Sequence, residues 1–278
     1  MAPNRPVIII DDPDDERYAA FRLNERGMAS RADKRNDGGA GLFLAEGDLV
    51  VERALDAGCV PVAGLVDRDR PPAVTDRLTC PVYGAGDAVR QAVTRLGMPQ
   101  RIVALFERPA RPSAPAVLAE ARRVVVLEGI DNPANVGAIV RNATALGWDA
   151  LVLDHTSADP LARRALRAAM GTTFVLPHAR TTSLANDLAT IDDLTLIALT
   201  PDATAPSIDE VRTSGRIGLL IGSERDGLSD ELLARGQPTR IPMTDGVDSL
   251  NAAAATAVAC YAFRPDVAGQ TSVVDNSR

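Results

Sequence analysis

Lysine is nearly absent from this chain. Of 30 basic side chains among 278 residues, Lys34 is the only lysine, so guanidinium carries almost all of the positive charge. Guanidinium grips phosphates through paired planar donors, but a GC-rich genome produces the same bias, so arginine content alone identifies no ligand. The missing lysines do exclude a P-loop, which needs GxxxxGK followed by Ser or Thr. Cysteine is scarce as well. Cys59, Cys80 and Cys260 are far apart and form no CxxC pair, which argues against a disulfide framework or a zinc site and points to a reducing cytoplasm. The two histidines, His155 and His178, fall at strand ends without a nucleophile motif, where a structural role suffices. Aromatic residues make up 3% of the chain, which with abundant Ala and Val fits helices packed tightly on a parallel sheet better than a β-sandwich. No apolar run approaches the ~20 residues of a membrane span. The start, MAPNRPVIIIDDPDDER, is too acidic for a signal peptide, so a cytoplasmic protein with no membrane partner is expected. A net charge of -7 argues against nonspecific coating of nucleic acid but permits a local basic face.

A hydrophobic content of 46% supports a core in each of two domains. Residues 1–40 are charged, cluster Arg17, Arg22, Arg26, Arg31, Lys34 and Arg35, and end in NDGGAG; they are expected to form a flexible extension that touches phosphates. Over 41–109 short apolar runs alternate with amphipathic stretches, as in a small βαβ domain. Residues 110–122 are rich in Pro and Ala and read as a linker, close to a second arginine cluster of Arg101, Arg108, Arg111, Arg122 and Arg123. From 123 to 264 the alternation resumes with six strands, the last in TRIPM, and intervening helices that include SIDEVRTS, predicting a parallel doubly wound sheet. The polar remainder, 265–278, reads as a disordered tail.

Three polar, glycine-containing loops follow strands of the second region: NPANVGAIVR, IGSERDGLS and IPMTDGVDSLN. Such loops lie at the carboxyl edge of a parallel sheet, where open α/β folds hold ligands. The first lacks GxGxxG, and the second is no GxSxG elbow because Glu224 stands at the serine position. Asp131, Asn132 and Asn135 suit turns and a helix N-cap, a mid-helix Arg141 suits solvent, and SLN suits the N-cap of the apolar helix AAAATAVACYAF.

In that order, NxGxxxR at Asn135, Gly137 and Arg141, GxExxGL from Gly222 to Leu228, and IPMxxGxxSLN from Ile241 to Asn251 resemble the three motifs of SpoU/TrmH-type RNA ribose methyltransferases of the SPOUT class. FLAEGDLVVERALDAG, Phe43 to Gly58, is similar to the start of the L30e-like substrate-binding domain that precedes the catalytic domain in many members. RALRAAMGTTFVLPHAR, Arg164 to Arg180, also resembles a segment of an actinobacterial subgroup, whereas AAAA at Ala252 to Ala255 departs from a small polar residue often found after SLN. The resemblance implies a deep C-terminal trefoil knot in the six-stranded parallel α/β domain, a homodimer through that domain, and S-adenosylmethionine as cofactor without a metal. It implies catalytic roles for Asn135, Arg141, Glu224, Ser249 and Asn251, with Gly137 letting backbone and ribose approach. Leu199, Thr200, Gly222, Ile241, Met243 and Leu250 would line the cofactor pocket. The implied reaction is methyl transfer to a ribose 2'-hydroxyl, with ribosomal RNA favoured over transfer RNA by the added N-terminal domain. A catalytically inactive RNA-binding module of the same fold is the competing reading, which five retained motif residues oppose. An oxidoreductase would lack its glycine fingerprint.

Overall fold

The computed structural model describes residues 6–23, 28, 41–95, 97 and 100–265. Two sheets organise them. In the first, β1 (Ile8–Ile9), β2 (Leu42–Glu46), β3 (Pro61–Asp67), β4 (Val82–Ala85) and β5 (Ile102–Glu107) lie in the order β1-β4-β3-β5-β2. The sheet is mixed where alternation predicts βαβ: β3 and β4 are parallel, but β5 runs antiparallel to both β2 and β3. Helix α1 (Asp48–Asp56) turns Val50, Val51 and Ala54 inward, and α2 (Asp87–Thr94) turns in Val93.

The N-terminal extension corrects the expected boundary. Its described part is anchored: β1 pairs with β4, and a 3₁₀ helix, Glu16–Arg22, buries Tyr18 and Phe21. The Tyr18 hydroxyl donates to the Ile10 carbonyl at 3.1 Å. Removing two aromatic rings from water outweighs the segment's charge, which stays at the surface. Arg26, Arg31, Lys34 and Arg35 lie outside the described residues, as does the tail beyond 265.

The second sheet has six strands, β6 (Arg123–Leu127), β7 (Ala150–Asp154), β8 (His178–Thr181), β9 (Leu194–Leu199), β10 (Arg216–Ile221) and β11 (Gln237–Thr239), in the order β11-β9-β10-β6-β7-β8. All are parallel. β6 is covered on both faces, which explains why Val124, Val125, Val126 and Leu127 form an unbroken apolar run. One face carries α3 (Ala114–Glu120), α6 (Leu184–Leu188) and α7 (Asp230–Arg235); the other carries α4 (Pro133–Ala145) and α8 (Ala252–Ala262). The expected linker is thus largely α3, which buries Ala114, Val117 and Leu118 against this sheet.

Three further elements differ from the sequence reading, one being the last strand, which spans Gln237–Thr239 and meets the expected TRIPM only at Thr239. No helix forms over SIDEVRTS, because its first residues extend the sheet edge: Arg240 donates to the Pro206 carbonyl at 3.0 Å, and Ile208 donates to the Arg240 carbonyl at 2.8 Å. The third predicted strand is shortened at its start, where Thr172–Phe174 turn as a 3₁₀ helix.

α5 (Arg163–Ala169) docks the units. Leu161 and Leu166 enter the core of the first unit, and Phe174 packs on Phe43 with ring centroids 5.5 Å apart. Arg163 pairs with the buried carboxylate of Glu46. Asp159 pairs with Arg108 at 2.6 Å and Arg111 at 3.0 Å. Burial opposes ionisation of Asp159, yet these two arginines outweigh it and hold the carboxyl at about 2. Part of the expected mid-chain arginine face is therefore spent internally.

A depressed carboxyl pKa stabilises the fold above its unfolded value and loses that contribution as pH falls through the folded one. Asp159→Asn is expected to cost about 2 kcal/mol at neutral pH, a gap that closes between about pH 4 and pH 2. Urea unfolding of both proteins across pH 2–7 checks this; a gap that does not change with pH would mean that the charge of Asp159 is not its origin.

Candidate active site

β6 lies where the sheet changes direction: β7 and β8 build outward on one side, and β10, β9 and β11 on the other. The loops after β6 and β10 separate at this switch point, at the carboxyl ends of the strands. Glu128 holds them in place, accepting from the Ser229 backbone N–H at 2.7 Å. Asp154, at the end of β7, accepts from Gly129 at 3.1 Å and from the Ser157 N–H at 2.9 Å. Burial would raise its carboxyl, but hydrogen bonds from Ser157, Thr156 and Gly129 prevail and lower it. Neither carboxylate stands out in the sequence, since each acts on loop groups that only the fold brings to it, Asp154 on the Ser157 and Thr156 hydroxyls as well as on backbone N–H groups.

Three expected catalytic residues meet in one chain of hydrogen bonds. Asn251 caps α8, its Oδ1 accepting from Ala253 at 2.9 Å and Ala254 at 3.3 Å. That fixes the amide's orientation, so Nδ2 must donate, and it does so to Asn135 Oδ1 at 3.1 Å. Asn135 Nδ2 in turn donates to Glu224 Oε1. A carboxylate at Glu224 is the matching terminus, because it only accepts. The three motif loops are thereby tied by one donor direction, and Asn135 keeps one amide hydrogen for a ligand. The N-cap of α4 is Asn132, which accepts from the Ala134 N–H at 3.0 Å and leaves Asn135 free of that duty.

Arg141 stands apart. It lies six residues after Asn135, about 9 Å along the helix and ~120° around it. It is exposed, and among the described residues its guanidinium has no hydrogen bond or ion pair. Asn251 makes its side-chain contact to Asn135 and none to Arg141. Gly137 is corrected too: it faces α5, where a Cβ would overlap the Ala165 carbonyl and come within 2.8 Å of the Ala168 Cβ. Its missing side chain serves helix packing rather than approach to a ribose.

Beside the hydrogen-bonded triad is a cavity of about 240 Å³. Leu199, Thr200, Gly222, Ile241, Met243 and Leu250 all line it, as do Ser249 and Glu224. Gly222 has a geometric reason, since a Cβ there would overlap the backbone of Gly227 and Leu228 across the loop. Pro201, Arg225, Asp226, Ala252 and Ala255 are also in the wall. Apolar walls with a few polar groups suit a flat heteroaromatic ring joined to a charged, flexible arm, so the residues present fit S-adenosylmethionine.

The profile of the SpoU rRNA Methylase family matches residues 122–261. An uncharacterised tRNA/rRNA methyltransferase of Mycobacterium tuberculosis is 38% identical over 262 residues, spanning 90% of this chain and 89% of that protein. The 23S rRNA (guanosine(2553)-2'-O)-methyltransferase RlmP of Bacillus subtilis is 31% identical over 229 residues, 80% of this chain and 88% of the relative. In fold, the chain resembles the AdoMet-bound rRNA methyltransferase from Sinorhizobium meliloti, with a TM-score of 0.77 over 92% of this chain and 97% of that one at 24% identity. With its three motif loops joined at the switch point of a six-stranded parallel sheet, the chain belongs to the SpoU rRNA methylase family.

Proposed function

We propose that this protein transfers a methyl group from S-adenosylmethionine to a ribose 2'-hydroxyl of RNA, with ribosomal RNA as the substrate. The observation that carries this reading is the fixed polarity of the Asn251–Asn135–Glu224 chain beside the cavity. The name of the Bacillus subtilis relative supports the ribose 2'-oxygen and ribosomal RNA. A catalytically inactive RNA-binding module would have no need of this hydrogen-bond order. Transfer RNA is the alternative substrate.

When bound, the cofactor supplies an electrophilic methyl group on a sulfonium. The protein's part is to position the hydroxyl, exclude water and stabilise developing oxygen charge. Leu199, Thr200, Gly222, Ile241, Met243 and Leu250 would hold the cofactor through backbone edges and apolar contact, with Ser249 at the rim. Asn135 orients the ribose with its remaining amide hydrogen. Arg141, whose guanidinium has no partner among the described residues, is free to meet the ribose and its phosphate. A guanidinium with a pKa above ~12 is a poor base, so charge stabilisation is its easier role.

The protein acts in the cytoplasm; among the described residues no helix is long and apolar enough to cross a membrane. It works as a homodimer. One side of α8 is covered within the chain, at Ala252, Ala253, Thr256, Ala259 and Cys260, while Val258 and Tyr261 are exposed on the other. An apolar stripe one turn apart suits a second copy. α8 also returns over α4 and β10 after β11 has joined the far edge of the sheet, an arrangement that supports a knotted C-terminal crossing.

Arg141→Ala is expected to retain the fold and cofactor affinity while methyl transfer falls about a hundredfold, equivalent to ~3 kcal/mol. Arg141→Lys should rescue poorly, because an ammonium cannot bridge two oxygens in a plane. Single-turnover methylation of ribosomal RNA beside calorimetric cofactor binding checks both. Cofactor affinity falling in step with rate would move Arg141 into the pocket.

The double variant Val258→Glu, Tyr261→Glu should sediment as a monomer at micromolar concentration where the parent sediments as a dimer. A parent that sediments only at its 29.3 kDa chain mass ends the dimer proposal.

A further inference from the structure

A second cavity, about 290 Å³, lies between the two units, away from the triad. Arg108, Arg163 and Arg180 line it with Asp159, and His155 stands exposed in its wall. Arg180 is 8% exposed, so its charge is almost wholly removed from water. Its Nη2 donates to the Ser157 carbonyl at 2.7 Å, but among the described residues its Nε has no hydrogen-bond partner. Among the described residues no carboxylate forms an ion pair with it. The natural candidate, Asp159, is already occupied: one oxygen takes Arg108 at 2.6 Å, the other takes Arg111 at 3.0 Å and the Leu161 N–H at 3.0 Å. Asp154 is equally committed to Gly129, Thr156 and Ser157. The buried guanidinium groups of Arg108, Arg111 and Arg180 thus have one carboxylate among them. An uncompensated buried charge costs several kcal/mol, a cost that an incoming anion removes.

We propose that this interdomain cavity binds a phosphodiester of the RNA strand, with Arg180 as its buried anchor. The inference rests on RNA being the substrate. The cavity wall includes Asp131 and Pro133, at the start of the helix that carries Asn135, so a strand placed on the triad leads into it. A free Nε beside a charged Nη pair is the donor set that a phosphate takes up in a bidentate grip. The first unit supplies Arg108 and the second Arg180, so the anion would bridge the two and fix the RNA relative to the catalytic loops.

The test begins with the unaltered protein. Nitrogen-15 spectra of arginine Nε–H groups, with the Arg180 signal identified by its loss in Arg180→Lys, are followed during titration with inorganic phosphate and, separately, with a single-stranded RNA of about ten nucleotides. Both probes should move the Arg180 signal saturably. Arg180→Gln should weaken RNA binding about tenfold at low salt and reduce the salt slope by about one, with S-adenosylmethionine affinity unchanged. An Arg180 signal that neither probe moves overturns the proposal, and movement by phosphate alone overturns its assignment to RNA. If both probes move the signal but no RNA is methylated, the cavity assignment stands and the enzymatic reading fails.

Discussion

The crossing of α4 over α5 at Gly137 is the constraint on which the arrangement depends. α4 carries the triad's Asn135 and the exposed Arg141, while α5 and its flanking residues dock the first unit. A Cβ at position 137 would overlap the Ala165 carbonyl, so the two helices meet at backbone distance only because that atom is missing. Interiors are close-packed and yield little. Separating the helices here would displace α5, and with it Leu161, Leu166 and the Asp159 ion pairs that hold the two units together. The glycine of the first motif therefore sets the distance between the motif loops and the N-terminal unit, although it lines neither the cavity beside the triad nor the one between the units.

The triad adds direction to that placement. Hydrogen-bond donors and acceptors along Asn251, Asn135 and Glu224 run one way because the N-terminus of α8 offers only N–H groups. Starting from that helix end, each amide has one allowed orientation, and the chain must finish on a pure acceptor. The helix that offers an apolar stripe outward thus also sets the polarity of the site inward. Any shift of α8 that followed association of two copies would be transmitted to Asn135 through a single side chain.

Much of this was legible in the sequence because it rests on local pattern. Five strands of the second sheet, the polar loops at their carboxyl ends and the Asn251 cap follow from short-range chemistry, and the six cofactor-site candidates do line one cavity; the sixth strand, Gln237–Thr239, has no apolar run and was expected two residues later. What was not legible depends on long-range contact. Tyr18 and Phe21 sit in a charged segment whose anchoring emerges only when β1 meets β4. The helical pattern of SIDEVRTS gave way to edge pairing with Arg240, a partner more than thirty residues on in a chain where local propensity is a weak prior. Gly137 was correctly singled out for close approach, but to a helix and not to a ribose, since a glycine in a pattern does not say what comes near it.

The charge of the chain raises a last question: how does a protein of net charge -7 hold a polyanion? The folded state answers by accounting for its arginines individually. Arg17, Arg68, Arg77, Arg101 and Arg216 are each matched to an aspartate, and Arg108 and Arg111 to Asp159. Such pairs contribute little field beyond a Debye length of about 10 Å. Arg141 and Arg180 are among the described arginines without a carboxylate partner, as are Arg53, Arg164, Arg225 and Arg264; Arg141 is exposed on a helix, whereas the neighbours of Arg180 are already taken. Net charge sets the average field, but binding is decided by groups whose charge is left over after folding. Pairing within the fold thus confines the positive charge open to a polyanion to part of the arginines, and the balance that opposes nonspecific binding also limits where a strand can settle.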